Sequence, residues 1–220
     1  MDTNKVESLK ELLIDVRKAH RLVYSFQERM LSLVNFIRAH LDFNELLGVK
    51  HYSNTMDKVT GAEKHRMPID MWAWDFIYSY VFEYFIGSMN MDDGSTIQLS
   101  IVQYADTGFF DSDTEDRRDI SHFAAPNDST SKIMFVMEHT PKGKKQIWND
   151  WAALRPYIMN KEYASSKHQS SELFPNGQGK TRLLLYSMPL ERFVDERSSI
   201  ESLKEYLAFL KKKDIILYLV

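Results

Sequence analysis

Three carboxylates, Glu83, Asp106 and Glu138, carry the most specific chemistry the chain offers. If they converge, they can hold Mg²⁺ or Mn²⁺, which polarises a phosphate ester and activates a water. On that reading they are the catalytic set of a metal-dependent nuclease or phosphodiesterase, with nucleic acid as substrate. On the competing reading Glu83 faces water, Asp106 opens a polar loop and Glu138 marks a strand end. Other chemistries fall away. There is no cysteine, so disulfides, cysteine-ligated zinc, iron–sulfur clusters and a cysteine nucleophile are all excluded. The seven histidines are scattered and form no HExxH. Gly179-Lys180-Thr181 ends like a phosphate-binding loop, but Phe174 stands where the first glycine is needed and a strand, not a helix, follows. The acidic run Asp111 to Asp116 lacks the central glycine and terminal glutamate of a calcium loop. No GxSxG elbow is present.

The elements that position these acids follow from hydrophobic periodicity. Residues from about Val6 to Leu41 read as one helix, with apolar residues at Val6, Leu9, Leu13, Val16, Val23, Met30, Leu33, Ile37 and Leu41. Residues 42–69 are a polar connector. Trp72, Trp74, Phe76, Tyr78, Tyr80, Phe82 and Tyr84 place an aromatic at every second position, a strand signal, while Asp75, Ser79 and Glu83 keep helical spacing. Strand length points to a compromise, with Asp70 capping a short helical turn and a strand from about Ile77 to Gly87, and helix over 70–86 is the open alternative. Asp92-Asp93-Gly94 turns the chain into a second strand, Thr96 to Ala105. Lys132 to Glu138 is a third, central strand. A helix from Lys145 to Arg155, stopped near Pro156, precedes a polar loop over 158–179. Thr181 to Met188 is the fourth strand. A helix capped by Ser198 or Ser199 runs to about Lys213, and Ile215 to Val220 forms a fifth strand. The expected fold is α+β: a long N-terminal helix, then a mixed, largely antiparallel sheet of about five strands with two helices in the C-terminal half. Residues 1–47 form the helical segment and 48–220 the α+β domain.

The order helix, three strands, helix, strand is the core order of nucleases built on a carboxylate pair and a lysine. Those enzymes carry Glu-x-Lys on one strand. Here the residue two after Glu138 is Thr140, and the nearest lysines, Lys142 and Lys144, lie beyond Pro141. Topology and the loose placement of acids alone support that comparison, and no family membership follows from it.

The helix offers a second kind of function. Besides its main stripe it carries Leu12, Leu22, Phe26 and Leu31, so it is apolar on more than one face. Such a helix is buried on both sides or meets a partner helix. Together with the aromatic excess near residues 72–85 and the lack of a complete catalytic motif, this favours a non-catalytic interaction or regulatory protein. It would bind a protein partner or a second copy through Leu12, Leu22, Phe26 and Leu31 and need no cofactor. A small-molecule pocket around Trp74, Tyr78 and Tyr80 is a third option. Lys and Arg total 28 against 31 Asp and Glu, a net charge of -3, which disfavours a DNA-coating protein. No apolar run reaches the roughly 18 residues of a membrane span and no signal-peptide pattern opens the chain, so a cytoplasmic location is expected.

Overall fold

The computed structural model describes residues 3–41, 43, 49–51, 81–113, 120–147, 151–175, 177 and 180–220. The chain divides into two compact units, residues 1–42 with Val220, and residues 43–219.

The first unit is a single helix, α1 (Thr3–His40). At 1.5 Å per residue its 38 residues extend roughly 57 Å. Exposed pairs at i,i+3, Lys10 with Glu7 and Lys18 with Asp15, decorate its polar side. Such pairs contribute a few tenths of a kcal/mol at most. Its last turn is closed from outside: the Val220 N–H donates to the His40 carbonyl, one of the acceptors a helix end leaves open.

The second unit is built on a six-stranded sheet in the order β1 (Val49–His51), β2 (Val81–Asn90), β3 (Thr96–Tyr104), β4 (Lys132–Thr140), β6 (Arg182–Pro189), β5 (Ser170–Leu173). Every pairing is antiparallel. Strands β2, β3 and β4 are a meander, and the turn after β2 is the expected Asp92-Asp93-Gly94. There Gly94 takes φ +78° and the Asp93 carboxylate accepts the Ser95 N–H. A register shift between Phe85 and Gly87 bulges β2 against β3.

Both faces of the sheet are covered, which explains why β3 and β4 are buried almost throughout, polar residues included. One face presents Val81, Val102, Tyr104, Met134, Val136, Leu183 and Leu185 to a core closed by Phe110, Ile147, Leu154, Ile158 and Ala164. Those covering residues come from α2 (Gly108–Asp111), α3 (Trp151–Ile158), α4 (Lys161–Ala164) and the segment before α3. On the other face α5 (Glu196–Lys211) lays Tyr206 on Phe135, with ring centroids 4.2 Å apart, and Phe209 on Tyr186. Tyr206 is fully buried, yet its hydroxyl has no hydrogen-bond partner among the described residues. An unmade buried hydrogen bond costs about 1–3 kcal/mol. Tyr206→Phe is therefore expected to raise unfolding stability by about 1 kcal/mol, seen as a higher urea midpoint at constant m-value. A loss of stability would show that the hydroxyl is satisfied.

Several elements differ from the expectation. The α+β class, the long N-terminal helix and the antiparallel sheet are as expected, while among the described residues every pairing is antiparallel and a sixth strand is present. The loop over 158–179 contains α4 and β5, and the connector contains β1; these elements are three or four residues long, too short for a periodic signal. Residues 145–147 are not helical, and α3 runs through Pro156 to Ile158. The buried i,i+4 pair Leu154 and Ile158 offsets the hydrogen bond that Pro156 gives up. The cap of α5 is Asp195, in a reciprocal box with Ser198, rather than either serine alone. Ile215 to Val220 is not a strand. Asp214, at φ 60°, reverses the chain as a left-handed helix terminator, and the Ile215 N–H returns to the Leu210 carbonyl. The alternation is real, with Ile215 buried and Ile216, Tyr218 and Val220 exposed, but the segment joins no ladder of the sheet. The part of the expected first strand before Val81, and Trp74, Tyr78 and Tyr80, lie outside the described residues.

Candidate functional site

The strand register fixes the positions of the three acids. Glu83 pairs with Val102 and Glu138 with Gln98, while Asp106 lies beyond the end of β3 at Tyr104. At about 3.3 Å per residue, neighbouring acids are separated by roughly 13 Å along β3, so the structure spreads them instead of bringing them together. Each has a local partner. Glu83 is buried and accepts the Ser100 hydroxyl at 2.7 Å. Glu138 is buried and accepts the Ile147 N–H at 2.7 Å and the Thr140 hydroxyl at 3.0 Å. Asp106 accepts the Gly108 N–H at 2.7 Å, turning the chain into α2. Among the described residues no group of three His, Asp or Glu is placed to hold a metal ion.

The surface of α1 differs along its length. Residues 9, 16, 23, 30 and 37 are seven apart, and 12, 19, 26 and 33 follow three later, giving Leu9, Leu12, Val16, Ala19, Val23, Phe26, Met30, Leu33 and Ile37. This is the a/d spacing that coiled coils use, unbroken from Leu9 to Ile37. From Met30 onward its a positions are buried, at 2% exposure for Met30 and 0% for Ile37. Before that they are open, at 54% for Leu9, 44% for Val16 and 40% for Val23. Of the four residues expected at an interface, Leu12, Leu22 and Leu31 are exposed and Phe26 is half-buried. Leu12 and Phe26 are d positions, Leu22 flanks the seam and Leu31 lies off it. The period of seven was present in the sequence as a signal.

A polar cluster that motif reading passes over sits where β3 ends and β4 begins. Lys132 is almost fully buried on the face that also carries Tyr104. Its ammonium donates to the Tyr163 carbonyl at 3.0 Å and the Ser165 carbonyl at 2.6 Å, and lies 3.4 Å from the Ser187 hydroxyl oxygen. The Tyr104 ring centroid is 5.1 Å away. Burial pushes Lys132 down to about 7, while the nearby Asp111 carboxylate opposes the shift. His168 contacts Ser187 Oγ through Nδ1 at 2.9 Å and Ser171 Oγ through Nε2 at 3.0 Å. Burial, then the Lys132 charge, pushes His168 down to about 4, so it is a neutral imidazole at pH 7. A cleft of about 900 Å³ is lined by Asp111, Ser112, His122, Asp128, Ser166 and Lys167 among others. The Asp111 carboxylate forms part of its wall and accepts the Ser166 N–H at 2.9 Å. The sequence signals were weak: a lysine in phase with Met134 and Val136, and a histidine between two serine pairs.

The fold is thus an α+β protein with a six-stranded antiparallel sheet and a long amphipathic helix. No helix among the described residues is long and apolar enough to cross a membrane. Residues 6–215 match the model of the family described as PM0109, and the chain belongs to that family. No curated protein and no solved structure gave a match.

Proposed function

We propose that the chain is an interaction protein that pairs with a second copy of itself through α1. The observation that carries this reading is the a/d seam, which continues without a break from buried to open positions. A seam of Leu9, Leu12, Val16, Ala19, Val23 and Phe26 left in water forgoes about 25 cal/mol for each Å² of apolar surface that a partner would cover.

The pairing is antiparallel. In that arrangement a positions face d positions, so Leu9 meets Phe26, Leu12 meets Val23 and Val16 meets Ala19, each layer matching a larger with a smaller side chain. A parallel pair would set Ala19 on Ala19 and Phe26 on Phe26, leaving a gap beside a crowded layer. A two-fold axis generates this contact from one surface patch.

Light scattering on the full chain is expected to give twice the 25.9 kDa chain mass. Val16→Glu places an unpaired charge in the seam and should weaken association at least about 100-fold while circular dichroism is unchanged. Because the chain has no cysteine, introduced ones report cleanly. Leu12→Cys alone should not form a disulfide between copies, whereas a mixture of Leu12→Cys and Val23→Cys chains should. A particle of single-chain mass at high concentration defeats the pairing, and self-linking of Leu12→Cys defeats its direction.

A further inference from the structure

We infer that Ser187 is an activated nucleophile, with His168 as its general base, and that the site accepts carboxylic esters. The argument is geometric and independent of α1. Nucleophilic serine chemistry needs a hydroxyl within hydrogen-bond reach of a base, and a third group that orients the base. Ser187 Oγ lies 2.9 Å from His168 Nδ1, and Ser171 Oγ lies 3.0 Å from Nε2. With Nε2 protonated and donating to Ser171, the Nδ1 lone pair faces the Ser187 hydroxyl, the tautomer that general-base chemistry requires. Ser171 is a positioning residue here. All three residues are only half-buried, so the site is not sealed in the core.

Lys132 adds the electrostatics. Its two shorter bonds, to the carbonyls of Tyr163 and Ser165, already hold the end of α4 against the sheet. Its third donor direction, toward Ser187 at 3.4 Å, is not needed for that anchoring. An N–H donor beside Oγ, on a charged or a neutral amine, stabilises developing negative charge on the attacking oxygen and on the oxyanion formed next to it. A serine with a purely structural role at a strand end needs one partner, whereas this hydroxyl lies between two nitrogens.

The reaction balances with water as the only co-reactant. Ser187 Oγ bonds to the ester carbonyl carbon as its proton passes to His168 Nδ1. The carbonyl reforms, the bond to the leaving alcohol breaks, and that alcohol departs with the proton from His168. Water then adds to the acyl-serine, again through His168, the carboxylic acid leaves, and Ser187 regains its hydrogen.

The test uses the full chain with a fluorophosphonate probe and with p-nitrophenyl acetate. A single adduct is expected, mapped to Ser187 by peptide mass, with an initial burst of nitrophenol. Ser187→Ala should abolish both. His168→Gln keeps polar contacts to both serines but supplies no base, so labelling should slow at least 100-fold with an unchanged melting temperature. Ser187→Cys should restore labelling with iodoacetamide, its rate depending on His168. No adduct after prolonged incubation at pH 8, an adduct on another residue, or an undiminished rate in His168→Gln overturns the inference.

Discussion

Glu138→Ala is expected to destabilise the fold by about 3 kcal/mol, measured as the loss of unfolding free energy in urea. The carboxylate is the acceptor for the Ile147 N–H at 2.7 Å, and Ile147 belongs to the core that closes one face of the sheet. Removing it leaves a buried backbone donor unpaired, at about 1–3 kcal/mol, and opens a cavity on a central strand. The Thr140 hydroxyl suffers less, since the Thr181 hydroxyl lies 3.3 Å away. Glu138→Gln retains an acceptor oxygen for Ile147 and should cost about 1 kcal/mol. The pattern separates a core acceptor from a metal ligand. A ligand carboxylate changed to Ala would leave the metal-free protein as stable as before and abolish a Mn²⁺-dependent rise in melting temperature. A change below about 0.5 kcal/mol for Glu138→Ala would remove the structural role argued for this residue.

Sequence reading reached the parts of this fold that rest on period and punctuation. The long helix, the meander of β2, β3 and β4, strand β6 and the C-terminal helix all announce themselves by spacing over eight or more residues. Short elements do not. β5 is only Ser170–Leu173, and its half-buried residues carry no apolar alternation. The tail shows why alternation alone cannot define a strand: Ile216, Tyr218 and Val220 alternate with less exposed residues, but Asp214 turns that segment out of α5 and no sheet edge among the described residues receives it. Site residues were harder to read because convergence is a property of register. Glu83, Asp106 and Glu138 are acids in or beside adjacent strands, a description that suits a metal site equally well. Only the pairing of Glu83 with Val102 and Glu138 with Gln98 reveals the spacing between them. Conversely, Lys132, Ser187 and the neighbours His168 and Ser171 come from three separate stretches of the sequence and fit no motif; they meet because β6 lies between β4 and β5.

That meeting point is expected to give the chain an alkaline-shifted stability profile. Lys132 titrates at about 7 when folded, against 10.5 for an ordinary lysine, and His168 at about 4, against 6.5. In both cases the unfolded chain binds more protons than the folded one, between pH 4 and 6.5 for the histidine and between pH 7 and 10.5 for the lysine. Stability therefore rises with pH through both windows. At about 1.4 kcal/mol per pKa unit, the lysine contributes a rise of a few kcal/mol. Tyrosines set the upper bound. Burial, then the hydrogen bond to Glu205, pushes Tyr186 up to about 12, and burial also raises Tyr206. Above about pH 10 the unfolded chain loses phenolic protons that the folded chain keeps, so stability falls again. The maximum belongs near pH 9–10, well above the isoelectric point of about 6.2. Urea midpoints from pH 6 to 10 test this, and Lys132→Met isolates the cause. Methionine fills the space without a charge and leaves the carbonyls of Tyr163 and Ser165 without their donor. The variant should therefore be less stable than the parent at pH 9, yet nearly flat between pH 7 and 10. A parent midpoint that is constant or falling from pH 7 to 9 would mean that Lys132 keeps its ordinary proton affinity. Its bonds to the two carbonyls would then be those of a fully charged ammonium.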